Sequence, residues 1–274
     1  MEATAMEATA TARPTPGEAY AAAVRRGERA IPLNVHLPAA FPLFGSRPRY
    51  AVRHLLKTAD VPDGPLNYVH EPAGGVIGAA GTSYAATPES AFHPQLRQVR
   101  LTDMRVSLPL PEGIMDDLRS LANFVDYRLL VRLSVVENES LLHGTADGAI
   151  TGMLDLPGLR ERKTTRGLAE TVTETAAEVE ETGGSCDGIV VHPAVYWEMV
   201  QHGVLDRLDA PRIMVSRTRM IPKDTMLFGD FRAAFTLFLP QLSEISVTGD
   251  AVSATSRFGL AVHLPQHLVR VNRV

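Results

Sequence analysis

The sequence predicts an α+β fold, and three observations carry that prediction. Apolar residues recur at i, i+3/i+4 spacing through Ile114, Leu118, Leu121, Val125, Leu129, Leu133 and Val136, the pattern of a long amphipathic helix. The last third of the chain reads as strands in "TMLFGDF", "FRAAFTLFLP", "EISVTGD" and "RFGLAVHL". Helix and strand segments do not alternate in the regular way that builds a doubly wound parallel sheet.

The chain has 274 residues, enough for one large domain or two modest ones. Its 45% hydrophobic content supports a real core, yet no apolar run approaches the roughly 18 residues that a membrane helix needs. The first twenty residues lack a basic start followed by an apolar stretch, so they do not read as a signal peptide. Cys186 is the only cysteine, which removes intrachain disulfides and cysteine-based metal sites. The simplest placement is the cytoplasm. The net charge of −4 comes from interspersed signs, which argues against a dedicated nucleic-acid binder. Apart from Lys57, Lys163 and Lys223, every basic residue is arginine, the side chain suited to bidentate pairing between subunits.

From the N-terminus, "MEATAMEATATARPTP" reads as a tail broken by Pro14 and Pro16, and "GEAYAAAVRRGERA" as a short helix over 17–30. Residues 31–48 hold four prolines and form an extended arm. The arm's Leu37, Phe41 and Phe44 cannot bury themselves locally, so they are expected to pack on a neighbouring subunit. Two extended stretches, "RYAVRHLLKTADVPDGPLNYVHEP" and "QLRQVRLTDMRVSLPL", flank a glycine-rich segment and suggest a long two-stranded loop. The spine helix is expected over 111–144, with Pro111 in its first turn, Asp116 and Asp117 at its positive end and Gly144 as its stop. At about 30 residues it would reach roughly 45 Å, against an average helix of about 11–12 residues. Beyond it, "GLAETVTETAAEVEET" reads as a helix, "GIVVHP" as a buried strand, "PAVYWEMVQ" as a short helix and "RIMVS" as a strand.

Chemistry is sparse. "PAGGVIGAAG" places Gly74, Gly75, Gly78 and Gly81 where a phosphate loop would need them. It lacks the Gly-Lys-Ser/Thr ending, the preceding buried strand and the following helix of such a loop. A small nucleotide-binding α+β enzyme is therefore only a remote alternative. His192, beside Asp187, suits a general base, or more simply a capping or partly buried histidine. Thr145 in "HGTADG", Cys186 in "GGSCDG" and Asp230 in "FGDF" each read more simply as turn residues than as a nucleophile, a reactive thiol or a metal ligand. No catalytic constellation, metal site or cofactor site emerges, and the chain does not read as an enzyme.

The order of segments nonetheless resembles the Hong Kong 97-type capsid fold of tailed-phage major capsid proteins and encapsulin shell proteins. The resemblance rests on "RHLLKTADVPDGPLNYVHEP", then on "VRLTDMRVSLPLPEGIMDDLRSLANFVDYRLLVRLSVVENESLLHGTADGAITGML". Near the end, "TMLFGDFRAAFTLFL", "ISVTGD" and "RFGLAVHLPQHLVRV" complete it. It implies an N-terminal tail, short helix and arm over 1–47, and an extended E-loop over 64–100. It also implies a peripheral domain over 48–63, 101–144 and 241–274, and an axial domain over 145–240. The partner is then the chain itself, in sixty copies or a multiple, closing an icosahedral shell.

Two readings stay open within that resemblance. An encapsulin nanocompartment would enclose a cargo protein, whereas a phage or prophage capsid would enclose DNA and be a virion component. Residues 64–100 contain no lysine for crosslinking neighbours, and only residues 1–47 precede the matching segments, too few for a cleaved scaffolding segment. Both points favour the encapsulin side, of the phage-like kind. Within the axial domain, "QHGVLD" suggests a pore at a symmetry axis lined by Gln201, His202 and Gly203, with an ordinary surface turn as the alternative. The glycines Gly74, Gly75, Gly78 and Gly81 become the E-loop tip, bending over a neighbour.

Overall fold

The computed structural model describes residues 14–32, 52–72, 94–240 and 243–274. The arm residues Leu37, Phe41 and Phe44, and the glycines Gly74, Gly75, Gly78 and Gly81, lie outside the described residues. Helix α1 covers Pro16–Arg25. The spine comprises α2 (Leu118–Phe124), a π turn (Val125–Leu129) and α3 (Leu130–His143). The remaining helices are α4 (Leu168–Glu180), α5 (Pro193–Gln201), α6 (Val204–Asp209) and α7 (Phe231–Ala234). The strands of the N-terminal half are β1 (Ala30–Pro32), β2 (Lys57–Val61), β3 (Leu66–His70), β4 (Gln95–Val99) and β5 (Thr102–Pro109). Those that follow the spine are β6 (Arg160–Thr164), β7 (Gly188–Val191), β8 (Met214–Arg217), β9 (Thr225–Gly229), β10 (Phe235–Pro240), β11 (Ser243–Thr248), β12 (Ala251–Val262) and β13 (Leu268–Arg273).

The start of α1 corrects the sequence expectation. Pro16 opens the helix rather than breaking a tail, because its missing N–H falls where no helical bond is made. Thr15 closes a capping box: its hydroxyl accepts from the Glu18 amide at 3.1 Å, and the Glu18 carboxylate accepts from the Thr15 amide at 2.8 Å.

The spine helix also starts later than expected. Pro111 stands outside it, in a turn in which Gly113 has φ +75°. Asp117 caps the helix instead, accepting from the amides of Arg119 at 3.0 Å and Ser120 at 3.1 Å. From Leu118 to His143 the spine runs roughly 40 Å at about 1.5 Å per residue, and Gly144 at φ +84° ends it.

The π turn has a reason in the sequence. Leu121, Val125, Leu129 and Leu133 are spaced by four, and each step of four advances an ideal α-helix about 400°, so the stripe drifts about 40° per step. A π turn holds more residues per turn and takes up that drift. All four side chains are fully buried. The same turn directs Asp126 inward, where it accepts from the Gly17 amide at 2.8 Å and pins the first turn of α1 to the spine. The approach is close: a Cβ on Gly17 would sit 2.1 Å from the Ala122 carbonyl oxygen.

Two sheets share the work of packing. In the first, the order is β1-β11-β12-β10-β2, with β5 also paired to β12. Strand β12 is its hub: residues 251–258 pair antiparallel with β5, residues 251–256 with β11 and residues 259–262 with β10. The second sheet runs β6-β13-β9-β7-β8. Its central strands are buried on both faces, which explains why "GIVV" is uniformly apolar. Val190, Leu227 and Leu268 face the core shared with the spine, while Ile189, Val191, Met226, Phe228, Val269 and Val271 face a second core under α4, α5 and α6. The chain crosses between the sheets repeatedly, since β10 lies in the first sheet and the last strand, β13, in the second.

Two further expectations change. "FRAAFTLFLP" begins as the one-turn helix α7 before becoming β10. Asp230 initiates that turn, accepting from the Ala233 amide at 3.0 Å, so it sits at a helix start rather than at a strand–strand turn. "QLRQVRLTDMRVSLPL" yields two strands, β4 and β5, interrupted at Arg100 and Leu101.

A buried ion pair ties the start of the first sheet to the spine. Arg53 donates to both carboxylate oxygens of Glu137, and both side chains are about 5% exposed. Beside them the Asn138 side chain accepts from the Val52 amide at 2.9 Å. Removing one partner leaves a buried charge uncompensated. Arg53→Met or Glu137→Leu is expected to lower unfolding free energy by about 3–5 kcal/mol, and the double replacement to recover most of the loss. Denaturant unfolding of the three variants checks this.

Candidate assembly surfaces

Strands β3 and β4 form a two-stranded antiparallel ribbon in the register Leu66↔Val99 to His70↔Gln95. The expected pair of extended stretches is therefore a paired ribbon. Val99 and His70, at opposite ends of the ribbon, are buried, while the rest of β4 is exposed. Val69 and Leu96 stand directly opposite each other, 54% and 74% exposed. A lone two-stranded ribbon is marginal in water, and an apolar cross-strand pair left in solvent adds little to it.

The ribbon is anchored to β12 at both ends: Val99 packs against Gly259, where a Cβ would sit 2.4 Å from its side chain, and His70 holds the other end. The His70 ring contacts the Val262 carbonyl oxygen at 2.7 Å, and the Glu71 amide donates to the His263 carbonyl at 2.8 Å. The His263 ring contacts the Val69 carbonyl oxygen at 2.8 Å through Nδ1 and the Thr236 hydroxyl at 3.0 Å through Nε2. Tyr68 packs edge-on to that ring, 5.5 Å between centroids. These contacts fix how the ribbon lies against the end of β12.

A second surface lies at the turn between α5 and α6. His192 caps α5, its Nδ1 accepting from the Ala194 amide at 3.1 Å, with Pro193 in the first turn. His202 ends that helix and Gly203, at φ +62°, turns the chain into α6. Gln201 and His202 are exposed and Gly203 half-buried. One turn back, Trp197 is 60% exposed and Val200 42%. The Arg217 guanidinium lies 4.3 Å from the centre of the Tyr196 ring and 5.4 Å from that of Trp197, and the two aromatic rings meet edge-on. Glu198 grips Arg273 in a fork of 2.7 and 2.8 Å, which holds its carboxyl below the ordinary range and fastens α5 to β13. The sequence reading named the turn and did not name the exposed Trp197 and Val200. The signal was there: "AVYWEMV" is apolar on more than one face, wider than a single core contact needs.

The residues weighed for chemistry do not converge. His192 and Asp187 flank opposite ends of β7, roughly 16 Å apart at about 3.3 Å per residue, so they form no acid–base pair. Thr145 accepts from the Ile150 amide at 3.0 Å within a tight turn. In the same turn Asp147 is held at about 2, first by its bond with Thr145. Cys186, expected in an exposed turn, is 3% exposed, and burial pushes its thiol up to about 12, which makes it inert at neutral pH. No group of three or more His, Cys, Asp or Glu among the described residues is placed to hold a metal. No helix among them is long and apolar enough to cross a membrane.

No protein-family model matches the chain, and no curated protein matches it. Solved structures do. A virus-like particle from Pyrococcus furiosus aligns over 84% of this chain and 95% of its own, at 11% identity and TM-score 0.55. The capsid of a native GTA particle aligns over 82% and 97%, at 12% identity and TM-score 0.60. A structure from Mycobacterium phage Bobi covers 100% of this chain and 95% of its own, at 12% identity and TM-score 0.55. The chain has the Hong Kong 97-type capsid fold, in the α+β form expected from its segment order.

One polar group carries a pH signature. Burial pushes Asp187 up to about 6, although it accepts from the amides of Phe231 at 2.8 Å and Arg232 at 3.2 Å. The folded chain then holds this proton more tightly than the unfolded chain, whose carboxyl titrates near 3.9. The resulting stabilisation is fully present below about pH 4 and is lost as pH rises through about 6. Asp187→Asn should flatten that fall, read from thermal unfolding midpoints between pH 4 and 7. An unchanged slope in the variant would contradict the assignment.

Proposed function

We propose that the chain is the subunit of a self-assembling icosahedral protein shell, in sixty copies or a multiple. The observation that carries this reading is the β3–β4 ribbon, a paired but largely unburied arm that presents Val69 and Leu96 to solvent. An arm of this kind gains stability only when another surface covers it. The fold it shares with capsid and virus-like-particle subunits supports the same reading. The E-loop tip at Gly74, Gly75, Gly78 and Gly81 and the arm at Leu37, Phe41 and Phe44 are proposed as further contacts between copies.

Sheet membership suggests a division into lobes. The peripheral lobe takes the spine and the first sheet, including β10. The axial lobe takes the second sheet, including β13, with α4, α5 and α6. The turn at Gln201, His202 and Gly203 then lines a pore at a symmetry axis, with Trp197 and Val200 packing against the next copy around it. Many such contacts, each weak, reinforce one another when the shell closes.

For the contents we favour an encapsulin nanocompartment in the cytoplasm that encloses a cargo protein and acts as a container rather than as an enzyme. The absence of lysine between residues 64 and 100 supports it against a crosslinked capsid. The second reading is a phage or prophage capsid enclosing DNA. Purified particles separate the two: a co-purifying enzyme indicates the nanocompartment, and long DNA the capsid.

Negative-stain images of the purified chain should show closed shells, and a monomer or dimer under all salt and pH conditions would refute the proposal. Trp197→Asp combined with Val200→Asp should leave the far-ultraviolet circular dichroism unchanged, since both side chains are exposed, and abolish shells. Each copy would lose an aromatic anchor of about 2 kcal/mol or more. Deleting residues 74–81 should lower shell stability, and intact shells with an unchanged melting temperature would remove the loop tip from the interface.

A further inference from the structure

A cavity of about 410 Å³ lies where the two cores meet, in the size range of small-molecule sites. Leu55, from the core shared with the spine, forms part of its wall. Tyr196, Leu208 and Ile213, from the second core, form another part. The lining is mainly apolar and carries a small polar set. His54 Nε2 and Ser216 Oγ are buried and have no hydrogen-bond partner among the described residues. Unpaired buried polar atoms are costly, and each calls for an explanation.

The loop that closes α6 adds a third element. Arg212 lines the same cavity and has φ +60°, the non-glycine residue in the left-handed region among those described. Such strain persists where surrounding structure imposes it and clusters at ligand sites. Arg212 is exposed and makes no ion pair among the described residues. Asp209, the acidic group of the lining, is also exposed at this loop. Burial, then the charge of Arg53, lowers the His54 pKa, so the imidazole is neutral at neutral pH and available as a donor or an acceptor.

We infer that this cavity is a binding site for a small amphiphile, with an apolar body against Leu55, Tyr196, Leu208 and Ile213 and a carboxylate head held by Arg212, Ser216 and His54. An apolar body displaces water from the walls, and the head satisfies polar groups that the protein leaves unpaired. Because its walls come from both cores, an occupant bridges them and stabilises their relative placement. The inference does not depend on the chain forming a shell.

The probes are octanoate and octan-1-ol, alike in apolar body and different in head charge. Calorimetric titration of the full chain as purified should show one octanoate per subunit, bound about tenfold more tightly than octanol, a difference of about 1.4 kcal/mol. Arg212→Gly relieves the backbone strain while removing the charge. It should keep or raise the melting temperature and bring the two probes to equal affinity. Leu208→Phe fills the cavity and should abolish binding of both. No saturable octanoate binding to the wild-type chain, or binding unchanged in both variants, would overturn the assignment.

Discussion

The buried pair of Arg53 and Glu137 is the interaction on which the architecture turns. It joins the chain just before β2 to the second half of the spine helix. Strand β2 then runs parallel to β10 in the register Lys57↔Thr236 to Val61↔Pro240, and the ribbon β3–β4 departs a few residues later. A rotation of this start relative to the spine would redirect the ribbon. Two formal charges removed from water are stable only when they meet each other with satisfied geometry, so the pair admits few alternative placements. Asn138 reinforces the same point through the Val52 amide.

The spine is the other half of that joint. Its four-residue repeat of Leu121, Val125, Leu129 and Leu133 demands a local unwinding, and the π turn supplies it. The unwinding brings Asp126 to the first turn of α1. One sequence feature thus produces a straight apolar seam and the docking point of the N-terminal helix. The result is a body with a ribbon seated against the end of β12 and an aromatic corner at α5.

The long helix, the β-rich end, the paired stretches about the glycine segment and the capsid-type order of segments were legible in the sequence because each has a local period or a spacing. Cys186 was misread because "GGSCDG" has turn composition, yet Cys186, two residues before β7, packs into the second core. Helix boundaries shifted for a similar reason. Pro111 and Pro16 both suit a first helical turn, and what distinguishes them is a capping partner, Thr15 in one case and none in the other. Trp197 and Val200 went unnoticed because an apolar residue in a short helix reads as core unless its neighbours are known.

What the sequence by itself determined is local: which segments are helical or extended, and the seam that forces the π turn. Period, capping chemistry and composition act over a few residues and need no partner from elsewhere in the chain. What only the tertiary structure decided is which distant segments share a surface. It placed β13 in the second sheet, set His192 and Asp187 at opposite ends of β7, and left Trp197 in solvent. It also brought His54, Arg212 and Ser216 around one cavity. These juxtapositions arise from the closure of two cores around a doubly buried sheet, a condition satisfied by the whole chain at once and written in no single stretch of it.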